Sequence, residues 1–211
     1  MDARHALLGR LFDHAPLFPP ASMSPEDALA EDERAARSAD SWLLGRFVCP
    51  VGFPPVDDRG LAVVSPGAEA HGDFVFIEGL DLDEVVARGG GAKVRCGGER
   101  IPSVEELAAL IRGCRERGVV LKATAGLHHA YPTDAGEHGF LNLLAAAVFG
   151  DEEDALRAPH GSFALDADSL RWDGRASHAD ELARVRGSLL HSIGSCSFFE
   201  SVGELHDLGI L

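Results

Sequence analysis

The chemistry-bearing stretch of this chain is VVLKATAGLHH, Val119 to His129. A run of apolar residues carries one lysine, Lys122, and breaks at Gly126 into the adjacent histidines His128 and His129. A short apolar run bounded by glycine reads as a fully buried strand. An isolated buried ammonium is costly, so Lys122 must be paired, face a polar cavity or lose its charge. Desolvation lowers a lysine's pKa, and neutral lysines serve as nucleophiles and bases. The expectation is a strand whose C-terminal end opens on a reactive site, with Lys122 as nucleophile or base.

Further polar residues stand near the ends of the other predicted strands: Asp13 with His14, Arg46, Glu78, Arg95, Ser195 and Glu200. Arg46, Arg95 and Lys122 together suit a carboxylate or phosphate. Asp13, Ser195 and Glu200 complete the expected substrate-binding set. Glu78 and His128 are the acid–base candidates beside Lys122, and Glu78 or Glu200 is a partner for the lysine. The plainer alternative for Arg46 and Glu78 is an ion pair with each other. The turns Gly97-Gly98 and Gly194-Ser195 present backbone N–H groups to an anion.

The favoured reading is an enzyme acting on a small anionic carbonyl compound, of lyase, aldolase or isomerase type, with no cofactor. An alternative has His128 and His129, with Glu78 or His138, hold a divalent metal such as zinc that activates water for a hydrolase or isomerase. Adjacent histidines on a regular strand point to opposite faces, so they share one ion only in a loop. A third reading is a non-catalytic binding protein of the same architecture. Cys196 reads as a buried filler, because no partner that lowers its pKa is fixed by sequence.

These residues need a frame, and the chain alternates strand-like with helix-like segments. Leu7 to Pro20 begins as helix or strand and stops at Pro19-Pro20. Ser24 and Pro25 open a helix as N-cap and first helical residue. SWLLGRFVCP is a strand ended by Pro50, and LAVVS and DFVFIEGL are shorter strands. The link between those two, Pro66 to Gly72, is too short for a helical crossover, so one unit is trimmed or antiparallel. AKVRCGG is a strand, and Ser103 with Glu106 forms a capping box for the helix that Gly118 ends. That helix and the Lys122 strand make a β-α-β unit, which calls for parallel strands. GFLNLLAAAVFG and HADELARVRGSL read as helices, FALDADSLRWDG as a hairpin, LLHSIGSCSF as a last strand and SVGELHDLGIL as a terminal helix. The acidic run from Asp151 to Asp154 suits a helix start. The pattern predicts one α/β domain over residues 1–211. A TIM-like β/α barrel, trimmed or incomplete, is preferred over an open doubly wound sheet: polar residues sit at many strand ends and no phosphate loop is present.

Composition narrows the partners. Nineteen basic residues against 34 acidic ones give a net charge of −15, which disfavours nucleic acid and anionic membrane. No apolar run reaches the roughly 20 residues that span a bilayer. The N-terminus lacks a signal-peptide core, and the four scattered cysteines, with no CxxC spacing, suit reduced thiols in the cytoplasm. A homodimer is the simplest cover for the edges of a trimmed barrel.

At LKATAG, and in the helix SVEELAALIRGCRERG before it, the sequence resembles the class I, Schiff-base aldolases of the β/α-barrel type, particularly the deoxyribose-phosphate aldolase family. The likeness spans Lys93 to His129. It implies Lys122 as the imine-forming lysine. That family's second lysine comes one β-α unit later. No lysine follows Lys122 here, so arginine or histidine would supply its charge. The wider pattern DHAPLFPP, LGRFV, KVRCGG, KATAGLHH and GSCSF is similar to a bacterial family of uncharacterised barrel-like proteins, a likeness that implies no activity.

Overall fold

The computed structural model describes residues 2–53, 60–65, 68–71, 74–79 and 81–211. Strand β1 (Phe12–His14) follows a short helix α1 (Ala3–Leu8), and α2 (Pro25–Ala36) leads to β2 (Leu44–Pro50). Three strands then succeed one another with no described helix between them: β3 (Gly60–Ser65), β4 (Ala68–His71) and β5 (Phe74–Glu78). Helix α3 (Leu82–Ala87) leads to β6 (Gly91–Arg95), and α4 (Val104–Arg117) to β7 (Leu121–Thr124). A long excursion comes next: α5 (Phe140–Phe149), α6 (Glu152–Arg157), the small strands β8 (Ala164–Leu165), β9 (Ser169–Trp172) and β10 (Arg175–His178), and α7 (Ala179–Ser188). Strand β11 (Leu190–Ser195) and α8 (Phe198–Asp207) complete the order.

The sheet is mostly parallel and strongly curled, in the order β1-β11-β7-β6-β5-β4-β3-β2. Strand β1 joins its two margins, pairing in parallel with β11 and, through an irregular register, with β2. Only β4 is reversed, antiparallel to both β3 and β5. The α/β class is therefore as expected, but the frame is not a complete TIM barrel of eight β/α units. The trimmed unit is β4 itself; residues 66–67 and 72–73, at the ends of the link expected there, lie outside the described residues. The expected hairpin is a three-stranded antiparallel sheet, β10-β9-β8. Helix α3 was not foreseen; Asp81 caps it by accepting from Asp83 and Glu84 N–H.

Local signals hold the helices where expected. Ser24 Oγ accepts from Asp27 N–H. Ser103 and Glu106 cap α4 reciprocally, and Gly118 ends it with φ +64°, a conformation glycine adopts without strain. On the strands, alternation sorts side chains. Ala92, Val94, Leu121, Ala123 and Ile193 belong to the hydrophobic core, with Leu107, Leu110 and Ile111 of α4. Nearly every residue of α5 is buried, as suits a helix apolar on all sides. The alternate positions Lys93 and Lys122 face the sheet's concave interior, where they meet carboxylates from β1, β4 and β5. No described helix is long and apolar enough to cross a membrane.

Candidate functional site

Lys93 and Lys122 are the chain's two lysines. They lie in register on the neighbouring strands β6 and β7, and both are buried. Lys122 Nζ contacts Asp13 Oδ2 at 2.7 Å and Glu69 Oε2 at 2.6 Å. Lys93 Nζ contacts Glu69 Oε1 at 2.9 Å and Glu78 Oε2 at 3.0 Å. The five groups form a row of alternating charge, Asp13–Lys122–Glu69–Lys93–Glu78, with Glu69 bridging the two ammonium groups. In an ordinary barrel this layer is filled by branched apolar side chains.

Asp13 is itself held in place. Its Oδ1 accepts from Arg46 N–H at 2.8 Å and its Oδ2 from Ser192 Oγ at 2.7 Å. Gly45 makes room for it, since a Cβ there would lie 2.5 Å from Asp13 Oδ1 and 3.0 Å from Phe12 O.

Burial works against the charges of Asp13, Glu69 and Lys122, and the neighbours outweigh it. For Asp13, burial raises the carboxyl; the Lys122 charge and the hydrogen bonds from Lys122, Arg46 and Ser192 bring it below the usual carboxylate value. Glu69 is lowered in the same way, against burial, by Lys122 and Lys93. For Lys122, burial lowers the ammonium pKa, but Asp13 and Glu69 raise it above the usual lysine value. This corrects the expectation that burial leaves Lys122 neutral. Two carboxylates within hydrogen-bonding distance overcome desolvation, so the lysine is charged at rest.

Above the row opens a cavity of about 400 Å³. Its lining includes Glu69, Glu78, Lys93, Arg95, Lys122, Thr124, His128, Gly194 and Cys196. It sits at the C-terminal ends of the parallel strands, where barrels place their sites. Arg95, exposed at the end of β6, also lines an adjoining hollow of about 630 Å³ with Glu78, Gly97, Gly98 and Arg100. The loops after β6 and β7 meet backbone to backbone, for a Cβ on Gly126 (φ +65°) would lie 2.6 Å from Cys96 O.

The expected site residues divide. Lys122, Glu78, Arg95 and His128 come together at the cavity. Arg46, Asp13, Ser195 and Glu200 are not in its described lining. Arg46 contributes its backbone N–H to Asp13, and Asp13 anchors Lys122. Ser195 Oγ donates to Ser197 O and accepts from Ser197 N–H, shaping the start of α8. Glu200 Oε2 stands 3.3 Å from His128 Nδ1. The histidines of the metal reading take separate partners. His129 Nδ1 is 2.7 Å from Glu204, and His138 Nε2 is 2.8 Å from Pro102 O. Among the described residues, no group of three or more His, Cys, Asp or Glu converges as a metal site. Cys96, Cys114 and Cys196 are free thiols, and Cys49, Cys96 and Cys114 are buried.

Sequence reasoning missed Lys93 and Glu69. Lys93 had a readable signal: it shares one strand face with Arg95 at the period of two and is the only other lysine. Glu69 had none, since AEAH between glycines and a proline carries little strand character. The family resemblance places a second lysine one unit after Lys122; this chain places one a strand before it. In comparisons with known proteins, no family model, curated protein or solved structure matches the chain.

Proposed function

We propose that this chain is an enzyme of lyase or isomerase type that acts on a small anionic carbonyl compound by moving protons at the carbon beside the carbonyl. The observation that carries this reading is the lysine pair: the chain's only two lysines, in register, buried and bridged by Glu69 at a cavity. A buried charge network contributes little net stability compared with well-packed apolar residues, and charged clusters in clefts mark functional sites. Lys122 acts as a fixed cation that favours negative charge developing on the substrate oxygen. Glu78, which lines the cavity, takes and returns the proton, and Lys93 beside it holds the carboxylate in place. Arg95 receives the substrate's anionic group. Imine formation at Lys122 would require loss of a proton that two carboxylates hold, so the geometry favours proton transfer over an aldolase-like Schiff base.

The test is a panel of small 2-oxo acids and phosphorylated aldehydes in deuterated water, followed by NMR. The expected result is enzyme-dependent exchange or turnover of at least one compound, lost in Lys93→Met. A borohydride-stable adduct on Lys122, or inertness across the panel, overturns the assignment.

A further inference from the structure

The cavity lining also holds an imidazole and a thiol that the reaction does not use: His128, in the loop after β7, and Cys196, directly after β11. Strands β7 and β11 are paired neighbours, so the two residues rise from adjacent strand ends. Cys196 Sγ lies 3.9 Å from His128 Nε2. The other ring nitrogen, Nδ1, stands 3.3 Å from Glu200 Oε2 on α8. Three elements thus bring together a nucleophile, a base and a carboxylate at ion-pair distance from the base, which makes no hydrogen bond through Nδ1; enzymes activate a thiol or hydroxyl with such a set of groups. The thiol–imidazole distance is long, as such contacts commonly are without a bound substrate.

The sequence pointed to His128 as acid–base and to Glu200 as a ligand contact, but gave Cys196 no partner. The fold supplies it. Cys196 is also the one cysteine that is not buried, so a ligand in the cavity can reach it.

We infer that Cys196, His128 and Glu200 form a nucleophilic triad that adds reversibly to the carbonyl carbon of a small aldehyde or 2-oxo acid held in the cavity. This rests on the carbonyl-substrate reading above and extends it to a covalent capture step. In that step the Sγ–C bond forms and the carbonyl π bond breaks, its electron pair going to oxygen. The thiol proton passes to His128 Nε2 and from there to that oxygen. The product is a thiohemiacetal or thiohemiketal, with nothing oxidised or reduced and no leaving group. Arg95 lines the same cavity and favours the alkoxide as it forms.

The resting thiol requires the base. Burial pushes the Cys196 pKa up, a hydrogen bond with the Ala21 backbone draws it down, and the charges of Glu200 and of Glu31 on α2 push it up again, leaving it above an ordinary thiol. The attacking sulfur is therefore a thiol that His128 deprotonates, not a standing thiolate.

The test uses iodoacetamide as the electrophile, with the alkylation rate of each cysteine read by peptide mass spectrometry. At neutral pH Cys196 in the native chain is expected to react measurably, because His128 stands beside it to take the proton. His128→Gln is expected to slow Cys196 at least about tenfold at neutral pH, a floor set below the roughly 10²–10⁴-fold that a positioned base contributes. Glu200→Gln, at a half-exposed position, is expected to slow it severalfold and serves if His128→Gln does not fold. The buried Cys49, Cys96 and Cys114 report on the fold by remaining unreactive. Glyoxylate is expected to protect Cys196. Equal Cys196 rates in the native chain and in the folded variants, or no protection by glyoxylate, overturn the triad. Lys93→Met separates the two proposals: it abolishes proton exchange, yet leaves the His128-dependent reactivity of Cys196 intact.

Discussion

The two arcs of the curled sheet are built differently. Along β6, β7, β11 and β1, successive strands in the chain are separated by helices and run parallel. Along β2, β3, β4 and β5, strand follows strand with no described helix, and β4 is reversed. The regular arc contributes both lysines, and the irregular arc contributes Glu69 and Glu78. A full β/α unit in place of β4 would send another strand in the common direction. The short reversed strand instead sets Glu69 where one carboxylate reaches both ammonium groups. The regular arc thus positions the cations, and the departure from regularity supplies the group that couples them.

The largest effect is expected where the arcs meet. Lys122→Met leaves Asp13 buried without its cation and Glu69 paired with Lys93 alone, and breaking a buried pair in this way costs about 3–5 kcal/mol. Urea unfolding should report that loss, and Asp13→Asn combined with Lys122→Met should recover part of it. A loss as small as that of an ordinary surface change would show that the arcs are not coupled through this row.

Stability against pH should show the same coupling with two limbs. Asp13 and Glu69 are lowered on folding. Their contribution is present above the ordinary values of 3.8 and 4.5 and is lost as pH falls through the folded values. Lys122 is raised; its contribution is present below the ordinary 10.5 and is lost as pH rises through the folded value. The contribution of the row should therefore be constant between these limits and fall beyond both, and Glu69→Gln should reduce the acid limb of thermal melts. An acid limb unchanged by Glu69→Gln would assign it to Asp13 alone.

Gly45→Ala probes how the regular arc holds its carboxylate. The added methyl meets Asp13 Oδ1 and Phe12 O, and overpacking of this kind costs about 1–3 kcal/mol. Chemical denaturation would measure it, and Lys122-dependent activity should fall as well. The smallest stability effect is expected from Arg95→Ala at the exposed rim, within about 0.5 kcal/mol. Its signature is a raised KM for an anionic substrate at little changed Tm. A changed Tm with the same KM would make Arg95 a structural residue.

The regular arc was largely legible. Ser24-Pro25, the Ser103–Glu106 box and Gly118 are local devices that act within a few residues, and the LKAT strand carried its own apolar boundaries. The irregular arc was legible only as a link too short for a helix. Helix α3 escaped notice because it is six residues long and flanked by Arg88 and glycines.

Lys122 as the centre, with Glu78, Arg95 and His128 around it, follows from residue type and place in the chain. Polar side chains at the ends of parallel strands converge at one mouth. The charge Lys122 carries, its bridge to Lys93 through Glu69, and the meeting of Cys196 with His128 were decided by the tertiary structure. These depend on register between strands far apart in the chain and on the direction of β4. Charge state follows distances of about 3 Å, set by how the sheet curls, which the chain encodes only through all its contacts together.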